Sequence, residues 1–154
     1  MLLPKIKDYR KIKKNIKNNY LTSNINEENM SFVYTLSKLL KISEKSFFKA
    51  MKSFKGLPHR FEIFLQRGNT IFINDSKATS FTAAESALRS LKNVYWILGG
   101  LPKRKDKLVL SKIKKNIIKC YLIGKNIKFF KNQIKGKVVF SITKNLKNSI
   151  IEIL

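Results

Sequence analysis

Cysteine is nearly absent from the sequence, since Cys120 is the single thiol among 154 residues. One cysteine excludes a disulfide framework within the chain and favours a reducing compartment. Long apolar runs are also missing, because none approaches the roughly 18 residues that a membrane span requires. Residues 1–7 lack the ordered basic, apolar and small-residue regions of a secretory signal. We therefore expect a cytoplasmic protein that does not cross a membrane.

Acidic residues are scarce: nine Asp and Glu stand against 33 Lys and Arg, which gives a formal net charge of +24. Such an excess can form an electrostatic footprint for nucleic acid. The lysines, however, are spread through nearly every segment and mixed with Asn and Ile, rather than gathered on one helix beside stacking aromatic residues. This distribution indicates a compositional bias and disfavours nucleic-acid binding. The densest basic run, residues 11–17, is typical of a solvated loop or tail.

A phosphate-binding loop is missing as well. The sequence contains no Gly-x-x-Gly-Lys-Ser/Thr pattern, so the chain has no phosphate cradle of its own. The residues that are present can form a core, because 44% hydrophobic and 11% aromatic content excludes a disordered tail. The length corresponds to about one average domain. We expect one globular unit with a short extra piece.

The first third of the chain predicts helices after an irregular start. Residues 1–19 are basic with little periodicity and are expected to be irregular or a remnant of a strand, and residues 20–22 are a candidate short strand. Asn24 or Asn26 is the expected cap of one helix, and Ser43 of a second helix that ends near Gly56. The apolar residues expected to face a core are Met30, Val33, Leu36, Leu39 and Leu40 on the first helix, and Phe47, Met51 and Phe54 on the second.

Between residues 56 and 80 the sequence predicts a β-hairpin that leads into a polar segment. Alternating runs at 61–66 and 70–74 flank a turn in which Gly68 or Asn69 adopts a positive φ. The second strand leads through DSKATS (75–80) into a helix over 82–91. Charged and hydroxyl side chains at the carboxyl end of a strand are typical of ligand sites in open α/β sheets. The free N–H groups and dipole of the helix start predict an anionic ligand.

A second polar segment follows the next predicted strand. The apolar run at 94–98 is typical of a buried strand and ends in GGLPK (99–103). The two glycines would allow a ligand close to the backbone. Lys103 would lie beside the Thr79 hydroxyl only if the strands at 70–74 and 94–98 are neighbours, and periodicity leaves that point open.

Helices and strands continue to alternate toward the end of the chain. We expect a helix over 106–116, a strand over 117–123, a helix over 126–134, a strand over 137–140 and a helix from 143 onward. This alternation predicts parallel pairing through right-handed crossovers. The expected fold class is α/β, a Rossmann-like, mostly parallel sheet that is opened by an antiparallel hairpin and preceded by a helix pair.

Three motifs in order, GLPHRFE (56–62), FINDSKAT (72–79) and YWILGGLPK (95–103), resemble the carboxyl-terminal part of a Mur ligase, above all of the members that add D-glutamate. The resemblance implies that residues 1–56 are the end of a central ATP-binding domain and residues 57–154 a carboxyl-terminal domain that is truncated at its end. The family's ATP loop, magnesium ligands and nucleotide-sugar domain would precede residue 1. Its closing substrate motif would follow residue 154. We therefore expect a fragment that is inactive alone.

The resemblance also implies a reaction and a role for five residues. In the whole enzyme, ATP and Mg²⁺ phosphorylate the carboxylate of UDP-N-acetylmuramoyl-L-alanine, and the amine of D-glutamate then attacks the acyl phosphate, a step in peptidoglycan precursor synthesis. Catalysis of this kind is mainly positioning and charge neutralisation. The implied roles are ATP binding for Arg60, ribose binding for Asp75, phosphate binding and catalysis for Lys77, and binding of the D-glutamate carboxylate for Thr79 and Lys103.

Three of these residues also have a simpler interpretation. Asp75 alone is typical of a turn or cap acid, and Lys77 alone of a surface charge. Arg60 could be an ion-pair partner of Glu62. His59 is expected to pack or hydrogen-bond rather than act as a base, because no acid or nucleophile is spaced to partner it.

Three functions stay open at this point. The chain is part of an ATP-dependent amino-acid ligase, a free-standing module that binds a nucleotide or an acidic amino acid without catalysis, or a basic nucleic-acid-binding protein.

Overall fold

The computed structural model describes residues 6–18, 21 and 26–154. The chain divides into two compact units, Met1–Pro58 and His59–Leu154. The division therefore falls close to the domain boundary expected after residue 56, and the assignment of the first unit to a central ATP-binding domain stays a prediction. No helix in the described ranges is both long and apolar enough to cross a lipid bilayer.

A helix, α1 (Ile6–Lys13), forms in the first unit where the sequence predicts irregular chain. Tyr9 and Ile16 are buried in a cluster that Ile12 also contacts. These apolar residues recur at three- and four-residue intervals, and the lysines between them mask that period. Asp8 in the first turn and basic residues in the last turn complement the helix dipole. The expectation of a loop or tail is thus wrong where the basic run overlaps α1.

The next helix, α2 (Glu27–Leu39), buries a different face from the one predicted. Of the predicted apolar face only Met30 is buried, whereas the other four residues are between 42% and 63% exposed. Ser31 and Ser37 lie in the interior instead, beside Tyr34. Their hydroxyls donate to carbonyls three residues earlier, Ser31 to Glu28 and Ser37 to Tyr34, both at 2.7 Å. Burial of these serines therefore leaves no hydroxyl without an acceptor.

The helix caps in this unit were only partly predictable. Ser43 caps α3 (Glu44–Ser53) as expected, because its side-chain oxygen accepts from the Ser46 N–H at 3.2 Å. Asn26 occupies the N-cap position of α2, but its side chain does not accept the capping bond. On α3, Phe47 is buried as predicted and Phe54 is exposed, contrary to the prediction. The predicted cap Asn24 and most of the predicted strand at 20–22 lie outside the described residues.

The second unit begins with the predicted hairpin, β1 (Glu62–Arg67) and β2 (Thr70–Asn74). The strands pair antiparallel, from Glu62 opposite Asn74 to Arg67 opposite Thr70. Gly68 in the turn has φ +56°, as the turn chemistry predicts. The hairpin forms a two-stranded sheet of its own.

A three-stranded parallel sheet follows, in the order β3 (Val94–Gly99), β4 (Ile117–Ile123) and β5 (Phe140–Lys144). Together with the hairpin and the helices, this sheet confirms the expected mixed α/β, Rossmann-like fold class. The residues of β2 and β3 belong to separate sheets. The neighbouring-strand arrangement that would have joined Thr79 to Lys103 is therefore not the one that forms.

Helices cover both faces of the parallel sheet. The helices α4 (Phe81–Ser90) and α5 (Ile127–Ile134) contribute to the core on one face, which includes Leu98, Cys120 and Leu122 from the strands. On the other face, α6 (Leu146–Ile153) is tied to the strands by a buried hydroxyl pair, Thr143 and Ser149, with 2.6 Å between the oxygens. Cys120 is buried in this core, and burial raises the pKa of its thiol to about 12, as is typical of a structural cysteine.

The predicted helix at 106–116 and the predicted strand at 137–140 are wrong. Short 3₁₀ turns, Leu110–Lys112 and Lys114–Asn116, replace the helix. Leu110, Ile113 and Asn116 are buried at three-residue intervals, the spacing that a 3₁₀ turn places on one face. Asn116 also donates to the Leu88 carbonyl at 2.9 Å. The last strand begins at Phe140, three residues later than the predicted start, and Val139 before it is exposed.

Candidate functional site

The segment 75–80 joins β2 to α4 as a tight turn. The Ala78 N–H donates to the Asp75 carbonyl at 2.8 Å, and the Thr79 N–H donates to the Lys77 carbonyl at 2.9 Å. A third bond, from the Lys77 N–H to the His59 carbonyl at 3.0 Å, fastens the turn to the segment before β1. The backbone groups are thus satisfied internally, whereas the side chains of Lys77 and Thr79 are exposed. This arrangement presents an ammonium group and a hydroxyl to solvent from one rigid turn.

Asp75 is half-buried at the start of this turn. One carboxylate oxygen, Oδ1, accepts from the Phe61 N–H at 2.9 Å. Burial raises the pKa of Asp75 above its ordinary value, although the Phe61 N–H and the charge of Arg60 oppose that shift. The carboxylate therefore serves the local structure as the simpler interpretation expects, and it also lies within electrostatic reach of Arg60.

The backbone on both sides of Arg60 is strained. His59 has φ +63° and Phe61 has φ +47°, values that non-glycine residues seldom adopt. The His59 N–H donates to Glu62 Oε2 at 2.9 Å, and a 2.8 Å contact joins His59 Nδ1 to the side-chain amide of Asn74. His59 is thus a hydrogen-bonding residue, as the sequence predicts. Strain of this kind tends to cluster at functional sites, and no sequence pattern pointed to it.

The sequence predicts free N–H groups at the start of α4 that would bind an anionic ligand. In the structure, two of these N–H groups are hydrogen-bonded to side chains of the protein. Ser80 is the N-cap, and its hydroxyl oxygen accepts from the Ala83 N–H at 3.3 Å. The Phe81 N–H donates to both carboxylate oxygens of Asp106, at 3.0 and 3.2 Å. The anion at this helix start is therefore a side chain of the protein itself. Sequence reasoning missed Asp106, which it used only as the start of a helix.

Asp106 connects the backbone of Lys103 to the same helix start. The Asp106 N–H donates to the Lys103 carbonyl at 3.1 Å, which closes a turn over residues 103–106. The Lys103 side chain is exposed. The loop after β3 is therefore attached to the amino end of α4, which directly follows Thr79 and Ser80. Asp106, rather than strand pairing, brings the two halves of the predicted site together.

The two glycines at the end of β3 each have a structural reason to be glycine. A Cβ atom on Gly99 would lie 2.5 Å from the Ile123 carbonyl oxygen, so the close neighbour is the end of β4. Gly100 has φ +115°, which favours glycine, and the space around its would-be Cβ is open. The approach of β4 is therefore reason enough for glycine at position 99, and room for a ligand beside the two glycines stays a prediction.

Comparison with known proteins adds evidence that is independent of this geometry. No protein-family model matches the chain. The chain is 38% identical over 129 residues to the UDP-N-acetylmuramoylalanine–D-glutamate ligase of Wolbachia sp. subsp. Brugia malayi, 39% over 127 residues to that of Rhodospirillum rubrum, and 37% over 125 residues to that of Agrobacterium fabrum. The chain belongs to the Mur ligase family. These matches cover 84%, 82% and 81% of the chain but 26%, 27% and 27% of the three relatives, so this Mur ligase chain spans about a quarter of their length.

Membership of the Mur ligase family raises the question of nucleotide and metal binding. Arg60 and Lys77 are exposed cations on either side of the Asp75 carboxylate in sequence, a donor set suited to a nucleotide. Within residues 6–18, 21 and 26–154, no group of three His, Cys, Asp or Glu side chains is arranged to hold a metal ion. The side chains of Arg60, Asp75 and Lys77 therefore have the chemistry to fit a nucleotide.

Proposed function

We propose that this chain forms part of an ATP-dependent ligase that joins D-glutamate to UDP-N-acetylmuramoyl-L-alanine through an acyl phosphate, in the cytoplasm. The observation that carries the proposal is the convergence of two motif segments on one helix start. Lys77 and Thr79 lie directly before α4, and Asp106 attaches the Lys103 turn to the Phe81 N–H of the same helix at 3.0 Å. The names of the relatives supply the amino acid and the nucleotide sugar.

The proposed nucleotide end lies around Asp75. The Asp75 carboxylate has one oxygen on the Phe61 N–H and a second that can accept a ribose hydroxyl. Arg60 offers a planar set of donors for phosphate or ribose oxygens, and Lys77 a compact positive charge for the phosphate that is transferred. When bound, Mg²⁺ would neutralise phosphate charge, and we assign its ligands to parts of the enzyme outside the described residues.

The proposed amino-acid end lies around Thr79 and Lys103. A D-glutamate carboxylate would accept a hydrogen bond from the Thr79 hydroxyl and pair with the Lys103 ammonium group. Fixing that carboxylate orients the amine toward the acyl phosphate, and the amine then displaces phosphate to form the amide. Positioning of this kind can supply a large share of the rate enhancement, because it removes the entropy of bringing two reactants together.

The unit Met1–Pro58 is proposed to be the end of the central ATP-binding domain. Three large apolar residues of the face predicted for α2 are exposed, as is Leu40 directly after the helix, which suits a helix that packs against further parts of the same enzyme. The partners proposed for this chain are thus the remaining amino-terminal and central parts of the ligase.

A chimeric enzyme tests this proposal. The chain replaces the matched segment of the Rhodospirillum rubrum relative, and phosphate release is measured with ATP, Mg²⁺ and UDP-N-acetylmuramoyl-L-alanine, with and without D-glutamate. We expect release that depends on D-glutamate, and no amide product from the 154-residue chain alone. L-glutamate in place of D-glutamate is the matched substrate control.

A folded chimera without D-glutamate-dependent phosphate release would contradict the proposal. If the chain alone then gave saturable heat on titration with ADP or D-glutamate, the second function, a binding module without catalysis, would replace it. Circular dichroism of the chimera separates this outcome from a failure to fold.

A further inference from the structure

The loop that carries Lys103 is held at three places. Asn126 Nδ2 donates to the Gly100 carbonyl at 2.8 Å, just before Lys103. The Asp106 carboxylate receives the Phe81 N–H just after Lys103, and Gln133 Oε1 accepts from the Leu108 N–H at 3.2 Å. The loop is therefore fixed to the starts of α4 and α5 and to the body of α5. Each attachment reduces the conformational freedom that an exposed loop would otherwise keep.

Of these three attachments, only Asp106 connects Lys103 to the segment that carries Thr79. Its backbone N–H binds the Lys103 carbonyl at 3.1 Å, and its two carboxylate oxygens share the Phe81 N–H. Phe81 is two residues beyond Thr79. A continuous path of two hydrogen bonds therefore links the backbone of Lys103 to the backbone beside Thr79.

The charge of Asp106 also decides which groups remain for a substrate. A carboxylate at a helix amino terminus neutralises the positive end of the dipole and occupies an N–H donor. Ser80 occupies the Ala83 N–H in the same way. The side chains of Lys103 and Thr79 are among the donors that stay exposed around this helix start. The N–H groups of Phe81 and Ala83 are thus not free for an incoming carboxylate, whereas these two side chains are exposed to it.

We propose that Asp106 is a positioning residue, which fixes Lys103 beside Thr79 so that the two side chains form one carboxylate-binding site. This inference rests on the proposed function, since it assigns that site to D-glutamate. Asp106 itself touches no substrate, and it acts through the turn over residues 103–106.

The first test uses the 154-residue chain and no substrate. A nitroxide spin label is placed on Thr79→Cys, and paramagnetic broadening of the Lys103 amide resonance is measured. The native Cys120 is buried and stays unlabelled. We expect strong broadening that is clearly weakened, or lost, when Asp106→Ala is added and retained with Asp106→Asn, because Asn keeps a side-chain oxygen for the Phe81 N–H. Amide resonances of β4 show that the sheet remains folded.

The second test uses the active chimera described above. Loss of a hydrogen bond to a charged group is expected to raise KM for D-glutamate about tenfold or more in Asp106→Ala. The kcat value and the KM for ATP stay within about twofold, because the proposed effect concerns binding of one substrate. Asp106→Asn recovers most of the affinity. Lys107→Ala, an exposed residue next to Asp106, is the matched control and leaves KM unchanged.

The outcomes separate this inference from the proposed function. Unchanged broadening of Lys103 in Asp106→Ala would overturn the positioning role, whatever the enzyme does. Lost broadening with an unchanged KM for D-glutamate would also overturn it and reduce Asp106 to a helix cap. If the chimera makes no amide, the spin-label result still decides whether Asp106 holds Lys103 beside Thr79, and only the link to D-glutamate fails.

Discussion

Asp75 has two opposing effects on the stability of the fold. Its half-buried carboxylate accepts the Phe61 N–H, yet burial still raises the pKa of Asp75. A folded-state pKa above the unfolded value means that protonated Asp75 favours folding. That contribution is present below the unfolded pKa and is lost as the pH rises through the folded pKa. At neutral pH the ionised carboxylate therefore stabilises the fold less than the protonated acid would.

Asp75→Asn is accordingly expected to leave the free energy of unfolding at pH 7 unchanged or higher. The amide oxygen can still accept from Phe61, and the buried charge is gone. Any gain over the wild type should disappear near about pH 3, where Asp75 is protonated in both folded and unfolded chains. Urea unfolding at the two pH values measures the difference.

Asp75→Ala separates the hydrogen bond from the charge. It removes the acceptor of the Phe61 N–H and is expected to destabilise the second unit by about 1 kcal/mol at pH 7. If Asp75→Asn were instead as destabilising as Asp75→Ala, the ionised carboxylate itself would be needed to stabilise the fold.

At this scale the sequence identified candidate site residues but not the contacts that support them. Lys77 and Thr79 could be found because they follow an alternating strand and precede a capped helix. Asp106 and the left-handed Phe61 could not be found, since both depend on contacts between segments distant in sequence. The Phe61 N–H bonds Asp75, 14 residues away, and Asp106 bonds Phe81, 25 residues away.

Among the secondary-structure elements, β3 and β4 show why Gly99 is required. A Cβ on Gly99 would lie 2.5 Å from the Ile123 carbonyl oxygen and 2.6 Å from Ile123 Cγ1. The backbone of β4 cannot withdraw easily, because Gly99 and Ile123 are paired in the parallel sheet. Gly99→Ala is expected to destabilise the second unit by about 3 kcal/mol through overpacking, as measured by thermal or urea unfolding.

Gly136→Ala is the comparison that separates crowding from backbone strain. Gly136 has φ +73° and open space around its would-be Cβ, so a loss of about 1 kcal/mol from the left-handed conformation alone is expected. Equal losses in both variants would contradict the close approach of β3 and β4. Wild-type stability in Gly99→Ala with lost substrate binding would restore the ligand interpretation of this glycine.

Elements with strong local signals were predictable, and elements that depend on packing were not. The cap Ser43, the turn glycine Gly68 and the strand at 117–123 follow from residue chemistry and period. The buried face of α2 does not, because its serines satisfy their own hydroxyls and can be buried in place of leucines. The helix expected at 106–116 failed because Asp106 bonds across to α4 instead of starting a helix of its own.

Across the whole molecule, acidic residues are few, and three of the nine accept backbone N–H groups around the candidate site. These three are Glu62, Asp75 and Asp106. The chain has 33 basic residues, so acidic side chains are rare on its surface. These three each accept a specific backbone N–H group, which gives each of them a structural role. The lysines show the opposite pattern, since most lie exposed along the chain. The net charge therefore does not indicate a function, whereas the three hydrogen-bonded acids mark the segments that form the candidate site.

The most direct test of the central claim compares two lysines in the chimeric ligase. Lys77, at the turn before α4, is proposed to neutralise phosphate charge during the reaction, whereas Lys92 is an exposed lysine beyond the other end of α4. Lys77→Ala is expected to lower kcat about a hundredfold or more, and Lys92→Ala to leave it within about twofold. Near-native turnover in Lys77→Ala, equal to that of Lys92→Ala, would contradict the account.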